Sequence, residues 1–153
     1  TGFENALTAL LVSFIPMLMD TGGNSGSQSS AIIIRGLATG EIKLSDFGRV
    51  VYKEFRIALI VGVILAVVNA ARLWLLNVVV YHNPDGLVRE MLVVGITLIA
   101  TVVTAKVFGC CLPMLAKKLK LDPALIASPI VTTLVDTTTV LIYFVVAINV
   151  FGF

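Results

Sequence analysis

The sequence predicts an all-α, polytopic helical membrane protein that forms one domain over residues 1–153. Of its 153 residues, 58% are hydrophobic and only 13% are charged, and the mean hydropathy is +1.04. Soluble domains carry about a quarter charged residues. Apolar runs long enough to cross a bilayer, which takes roughly 17–25 residues, recur along the chain without the alternation of membrane strands. The predicted transmembrane helices are A at about 3–19, B at 57–81, C at 91–115 and D at 123–151.

The charges between these helices predict the topology. The A–B connection carries five basic residues: Arg35, Lys43, Arg49, Lys53 and Arg56. The C–D connection carries three more: Lys117, Lys118 and Lys120. The B–C connection has only Arg89, which Asp85 and Glu90 balance. Basic residues favour the cytoplasmic side, so both termini are expected outside. An outside N-terminus on a chain that begins at Thr1 leads us to expect at least one further helix upstream.

Helix A is followed by a polar stretch, DTGGNSGSQSS at 20–30. Its glycines each lower helix stability by about 1 kcal/mol relative to alanine, and Pro16 weakens the turn before it. At membrane depth, weakened backbone is tolerated only where it is buried in protein or lines a cavity. We therefore expect a helix that bends here, packs closely against another helix and shows Asn24 and Gln28 to a pathway. The alternative is a flexible cytoplasmic loop, although the AIIIRGLA that follows looks helical.

Between the polar stretch and helix B, apolar residues recur at helical spacing. They are Leu44, Phe47, Val51 and Phe55, with Ser45 as a candidate cap. This pattern predicts a short amphipathic helix in the cytoplasmic interface. The alternative is that the segment is simply the cytoplasmic entry to helix B.

Helices B and C are expected to form an antiparallel pair joined by the turn YHNPDG. The single histidine, His82, lies in that turn and is expected to be solvated. Cys110 and Cys111 are adjacent within an apolar run, and adjacent cysteines rarely bridge, so we expect two small buried hydrophobic side chains.

Helix D carries an acid, Asp136, roughly 20 Å from either of its ends. An acid near mid-membrane costs at least about 2.5–3.5 kcal/mol against lipid, so it must face protein, water or a cation. Steps of three and four residues place it in one stripe with Ser128, Thr132, Thr139 and Tyr143. Such a stripe is typical of a water-filled path. The alternative is that the threonines bond to their own backbone and that Asp136 bonds to a neighbouring helix.

Lys106 in helix C is the other charge that the sequence places at depth. It either extends its ammonium group towards the interface or pairs with Asp136. Pairing would neutralise a cation site and would favour a proton-coupled carrier.

The sequence contains none of the motifs of common enzymes. A Walker loop, HExxH, a zinc-type cysteine pair and a dinucleotide fingerprint are all absent, and no second catalytic group is expected near Asp136. We therefore predict that the protein is not an enzyme, and we expect no nucleic-acid partner.

Two stretches resemble the membrane domain of the MgtE family of magnesium channels. They are IPMLMDTGGNSGSQSSAIIIRGLATGEI and LPMLAKKLKLDPALIASPIVTTLVDTTTVLIYF. The resemblance covers essentially the whole chain and implies a homodimer of five-helix subunits in the bacterial inner membrane, with the cation path along the two-fold axis. Helices A to D would then be the family's second to fifth. The family's first helix and its cytoplasmic magnesium-sensing domains would lie outside this chain.

The resemblance also implies roles for individual residues. Asp136 matches the pore aspartate that holds a hydrated Mg2+ ion, and Thr132 matches a position whose main-chain carbonyl contributes to the site. Ser128 stands where some members have asparagine, so its contact to the water shell of the ion is expected to differ. Asp122 matches an acid at the cytoplasmic start of the last helix, implicated in magnesium binding near the regulatory domains. The expected pore-lining residues are Asn24, Gln28, Gly22, Gly23 and Thr139.

The implied activity is channel-like passage of hydrated Mg2+ across the membrane. Mg2+ dehydrates reluctantly, so proteins hold it through few carboxylates and several retained waters. One Asp136 is too little charge for a divalent ion, and a two-fold axis doubles it. The alternative is a proton- or sodium-coupled divalent cation carrier in which Asp136 titrates.

Overall fold

The protein is an all-α helical bundle. The computed structural model describes the backbone of residues 2–81 and 87–152, and the side chains of residues 12–79, 87–125 and 129–152. The long helices are α1 (Gly2–Thr39), α2 (Phe47–Leu75), α3 (Leu87–Lys118) and α4 (Pro123–Phe151). A 3-10 turn at Leu44–Asp46 precedes α2, and a π-helical turn at Leu76–Tyr81 follows it. The described backbone contains no strand, which confirms the predicted all-α class.

The third helix is the centre of the bundle, because it packs against each of the other three. The first helix packs against α3 and α4 together. Towards one end of the bundle, a buried apolar cluster joins all four helices around Leu18, Leu73, Val94 and Tyr143. The position of α1 between α3 and α4 determines which of its faces remains open.

Three helical segments are long and apolar enough to cross a membrane: Leu44–Val79, Leu87–Lys118 and Pro129–Phe151. They contain most of the predicted spans B, C and D, and they indicate a multi-pass membrane protein. The predicted span A, at 3–19, lies within α1, but many of its side chains are outside the described residues. A fourth crossing therefore stays a prediction.

The polar stretch at 20–30 lies inside α1, which is helical without interruption from Gly2 to Thr39. The alternative of a flexible loop is wrong, whereas the predicted close packing against another helix is confirmed. A Cβ atom on Gly22 would lie only 2.7 Å from Thr101 Cγ2 and 2.7 Å from Val135 Cγ1. A Cβ atom on Gly109 of α3 would overlap the carbonyl oxygen of Gly26. Glycine is needed at Gly109 because two backbones meet there, and at Gly22 because side chains of α3 and α4 fill the space. A bend of α1 stays a prediction.

The segment predicted as an interfacial helix continues directly into α2. The 3-10 turn ends at Asp46 and α2 begins at Phe47, with no interruption before Ile57. The alternative, a cytoplasmic entry to helix B, therefore matches the backbone, while a separate interfacial helix is not confirmed. The residue that precedes α2 is Asp46 rather than Ser45, and its carboxylate accepts the Lys43 N–H at 3.0 Å.

The helix ends on the side predicted to be cytoplasmic are satisfied locally. After α1, Gly40 adopts a left-handed φ of 77°, and the Ile42 N–H donates back to the Gly36 carbonyl at 3.0 Å. The Lys117 ammonium donates to the Leu37 carbonyl at 2.6 Å and so links the end of α3 to the end of α1.

The two cysteines are free, as predicted. Cys110 is fully buried against Ile33, Leu37 and Met114, and Cys111 is half-buried beside them. The predicted turn around His82 lies outside the described residues.

Candidate functional site

A polar cleft opens between α1 and α4, and we call it the α1–α4 cleft. It has a volume of about 270 Å³ and is lined by Met19, Asp20, Gly23, Asn24, Ser27, Thr132 and Asp136. Two of these side chains carry carboxylates, and others supply amide and hydroxyl groups. The cleft therefore brings oxygen-bearing side chains of α1 close to Asp136 of α4.

The helical period explains how α1 reaches this cleft. Asp20, Asn24 and Ser27 follow one another at steps of four and three residues and therefore share one face. Gly23 lies on the same face beside the α4 donors, since a Cβ atom there would lie at ordinary van der Waals distance, 3.6 Å from Thr132 Cγ2 and 3.9 Å from Asp136 Oδ1. On α4, Thr132 and Asp136 are one turn apart, and both are half-buried.

Four of the predicted site residues meet in the cleft: Asp136, Thr132, Gly23 and Asn24. Gly22 and Thr139 lie elsewhere, at the contact between α1 and α4, where Thr139 is only 2% exposed. Gln28 is exposed on α1 but does not line the cleft. The pore-lining roles of these three residues stay predictions.

Two further predicted ligands belong to the first half of α4. Ser128 lies one turn before Thr132, and its side chain is outside the described residues. Asp122 is exposed just before the first residue of α4, where its Oδ1 atom accepts the Ala124 N–H at 2.8 Å. Asp122 is therefore the N-cap of α4, with Pro123 in the first helical position.

Three other threonines of α4 bond to their own backbone, as the alternative interpretation describes. Thr133, Thr137 and Thr138 each donate to the carbonyl four residues earlier, at 3.0, 2.9 and 2.6 Å. None of these three belongs to the predicted stripe. Of the stripe, Thr132 and Asp136 open onto the cleft, whereas Tyr143 is buried in the apolar cluster.

Sequence reasoning missed Asp20 and Ser27 as members of the cleft. The helix was predicted to bend at the glycines, so Asp20 and Ser27 were not assigned to the face that carries Asn24. Once the polar stretch is helical, the spacing of Asp20 with Asn24 is sufficient to find both residues. Asp20 adds a second carboxylate to the cleft.

Of the two alternatives for Lys106, pairing with Asp136 is wrong. The Lys106 Nζ atom lies 3.5 Å from Glu54 Oε2 and donates to Ser29 Oγ at 3.0 Å. The Ser29 hydroxyl in turn donates to Glu54 Oε2 at 2.6 Å. The reason is geometric, because Lys106 points to the α1–α2 side of α3 and Asp136 lies beyond α1. No local pattern pointed to this partner, since Glu54 stands among basic residues in RVVYKEFR.

The described side chains do not form a complete cage for a bare metal ion. No group of three or more His, Cys, Asp or Glu residues comes together in that part of the chain.

The sequence model of the MgtE family, described as a divalent cation transporter, matches residues 15–146. The chain belongs to the MgtE family. The match includes every residue that lines the α1–α4 cleft, as well as Ser29, Glu54 and Lys106.

Proteins named magnesium transporter MgtE are similar to this chain over most of its length. The Thermus thermophilus protein is 39% identical over 148 residues, which are 95% of this chain and 31% of that protein. The Enterococcus faecalis protein is 36% identical over 142 residues, covering 91% and 29%, and the Bacillus subtilis protein is 34% identical over 147, covering 95% and 31%. This chain thus spans about a third of the length of these MgtE relatives.

Proposed function

We propose that this chain is the transmembrane permeation domain of a magnesium transporter of the bacterial inner membrane. Hydrated Mg2+ passes through it by a channel-like route, with Asp136 of each subunit of a homodimer as the ion-binding carboxylate. The observation that carries the proposal is the environment of Asp136. It opens onto a polar cleft and makes no ion pair with any described residue, although it lies in a membrane-spanning segment.

The polar face around the cleft supports a homodimer. Asp20, Asn24 and Gln28 are all exposed on α1. Polar side chains that face lipid are costly, so this face needs a cover other than acyl chains. A second copy of the chain, related by a two-fold axis, covers it with the same surface and leaves a wet path between the subunits.

The chemistry of the cleft suits Mg2+ as the transported substrate. Two subunits bring the carboxylates of Asp136 and Asp20 twice, together with the Asn24 amides. These oxygens accept hydrogen bonds from the waters of a hydrated ion and balance its charge. Thr132, through its main-chain carbonyl, and Ser128 extend the path along α4 towards the cytoplasm. The relatives named magnesium transporters support the choice of Mg2+ over other divalent ions.

We place Asp122 at the cytoplasmic end of this path. One of its oxygens accepts the Ala124 N–H, and the exposed carboxylate retains its second oxygen for the water shell of a cation. A cap and an ion contact are compatible in one aspartate, since a carboxylate has about four acceptor positions.

The coupled carrier is the weaker alternative. Its support from the sequence was a possible Lys106–Asp136 pair, and Lys106 pairs with Glu54 instead.

The test is Mg2+ uptake into liposomes that contain the whole protein, at matched protein density. Asp136→Asn removes the charge while keeping the shape, and we expect uptake to fall at least about tenfold, the loss of about 1.4 kcal/mol of ion stabilisation. Glu41→Gln is the matched control, because Glu41 is exposed in the connection after α1. Unchanged uptake in Asp136→Asn would remove Asp136 from the ion path. Uptake that stops when a proton uncoupler is added would favour a proton-coupled carrier. Uptake that stops when sodium is removed would favour a sodium-coupled carrier.

A further inference from the structure

A buried ion pair lies behind α1 as seen from the α1–α4 cleft. Glu54 of α2 is 5% exposed, Lys106 of α3 is 8% exposed, and Ser29 of α1 between them is fully buried. Both charged residues lie in segments long and apolar enough to cross a membrane. Ser29 links the two charges, because it accepts from Lys106 and donates to Glu54.

The helical geometry of α1 places this pair opposite the cleft. At about 100° per residue, the nine steps from Asp20 to Ser29 turn through half a circle, so the two side chains leave opposite faces. Asp20 lines the cleft and Ser29 contacts the pair. The ammonium group of Lys106 is therefore at least about one helix diameter, roughly 10–12 Å, from the cleft, and the rise along the axis of α1 adds to that separation.

At that distance an uncompensated lysine would oppose any cation in the cleft. With an effective dielectric constant of about 20, a unit charge at ~12 Å lowers the local concentration of a monovalent cation about tenfold, and that of a divalent cation about a hundredfold. A carboxylate beside the ammonium group cancels most of this field, because the two charges then act as a short dipole.

We propose that Glu54 is the counter-charge that prevents Lys106 from repelling cations in the α1–α4 cleft. Glu54 touches no ion, and it acts through the potential at the cleft. For Mg2+ the inference rests on the proposed function, and it names a further residue on which that function depends. The competing role is purely structural, in which the pair only holds α1, α2 and α3 together.

The first test measures the potential in the cleft without any transport. In the reconstituted whole protein, Asn24→Cys places a thiol in the cleft, and its rates of reaction with a cationic and an anionic methanethiosulfonate reagent are compared. The protein without this cysteine gives the background from Cys110 and Cys111. The ratio of cationic to anionic rates reports the local potential.

The counter-charge role predicts opposite shifts for the two single variants. Glu54→Gln lowers the rate ratio about tenfold or more, Lys106→Gln raises it by a similar factor, and the double variant returns close to the original value. Ser29→Ala keeps both charges and leaves the ratio within about twofold. If the pair is only structural, the rate ratio changes in the same direction in both single variants or in neither of them. If Glu54→Gln fails to fold, Lys106→Gln and the double variant still decide, since an unchanged ratio between them overturns the proposal.

The second test is the Mg2+ concentration that gives half-maximal uptake in the same variants. Glu54→Gln raises it roughly tenfold to a hundredfold, Lys106→Gln lowers it, and the double variant restores it. The two tests separate the two proposals. If the reagent rates shift as expected while the unaltered protein takes up no Mg2+, the proposed function fails and the counter-charge role stands. If Mg2+ uptake is robust and the rate ratios do not move, only the counter-charge role fails.

Discussion

At the scale of single residues, the glycines of this chain differ in what surrounds them. Gly109 faces the backbone oxygen of Gly26, which cannot move aside, whereas Gly23 has ordinary van der Waals distances around it. Gly48, near the start of α2, has open space on the side where a Cβ atom would stand. The same substitution at these positions therefore tests the helix contact directly.

We expect Gly109→Ala to lower the free energy of unfolding by about 1–3 kcal/mol, because the added methyl group forces α1 and α3 apart. Gly48→Ala is the control and should be neutral or stabilising by up to about 1 kcal/mol, since alanine is the better helix former. Thermal unfolding of the purified protein in detergent measures both. Equal effects of the two substitutions would contradict the close contact of α1 and α3.

A second prediction concerns Asp20, the acid that the sequence pattern did not assign. Asp20→Asn removes one of the two carboxylates of the cleft in each subunit. We expect half-maximal Mg2+ uptake to require about three- to tenfold more Mg2+, a change of roughly 1 kcal/mol, since the partly hydrated cleft screens the lost charge. Asp46→Asn, outside the cleft, is the control. If Asp20→Asn lowers only the maximal rate of uptake and leaves the Mg2+ concentration for half-maximal uptake unchanged, Asp20 does not contact the ion.

At the scale of elements, local signals predicted most of what the structure has. The spans of B, C and D follow from hydropathy, and the cleft position of Asp136 follows from its depth and from the spacing to Thr132. The partner of Lys106 could not be predicted in this way. Glu54 is distant in the sequence, and local patterns of hydropathy and spacing do not show which distant charges meet. The continuity of α1 was also underestimated, since propensity penalises Gly22, Gly23 and Gly26 while tertiary packing favours them.

The start of α4 provides a prediction that separates a cap from a ligand. Asp122→Ala removes both the cap and the charge, and it should lower stability by about 1 kcal/mol. Asp122→Asn keeps a capping oxygen and removes only the charge, so stability should change little. If Asp122 also contacts Mg2+, Asp122→Asn raises the Mg2+ concentration that gives half-maximal uptake, while the stability of the protein is unchanged. Thermal unfolding and uptake measured on the same preparations distinguish the two roles.

At the scale of the whole molecule, the described residues expose the polar face of α1 beside the cleft and, elsewhere, apolar helix faces. Ile60, Val63 and Val67 on α2 are exposed and apolar, as is appropriate against lipid. The face with Asp20, Asn24 and Gln28 is not, and in the proposed homodimer it meets its own copy.

We expect Asn24→Cys to be cross-linked into dimers by a short bifunctional thiol reagent, because the proposed axis brings the two copies of α1 to either side of one path. Val67→Cys, on the exposed apolar face of α2, is the matched control and should remain monomeric on a denaturing gel. The protein without added cysteines gives the background of Cys110 and Cys111. Efficient cross-linking only at Val67→Cys would place the interface on α2 and contradict the proposed axis.

The contacts between α1 and α3 have a mechanical consequence. The two helices are joined by the backbone contact of Gly26 with Gly109, by the hydrogen bond of Lys106 with Ser29, and by that of Lys117 with the Leu37 carbonyl. These three contacts are spread along both helices, so we expect them to resist sliding of α1 along α3. A change in the width of the cleft is then expected to come from movement of α4 relative to the α1–α3 pair.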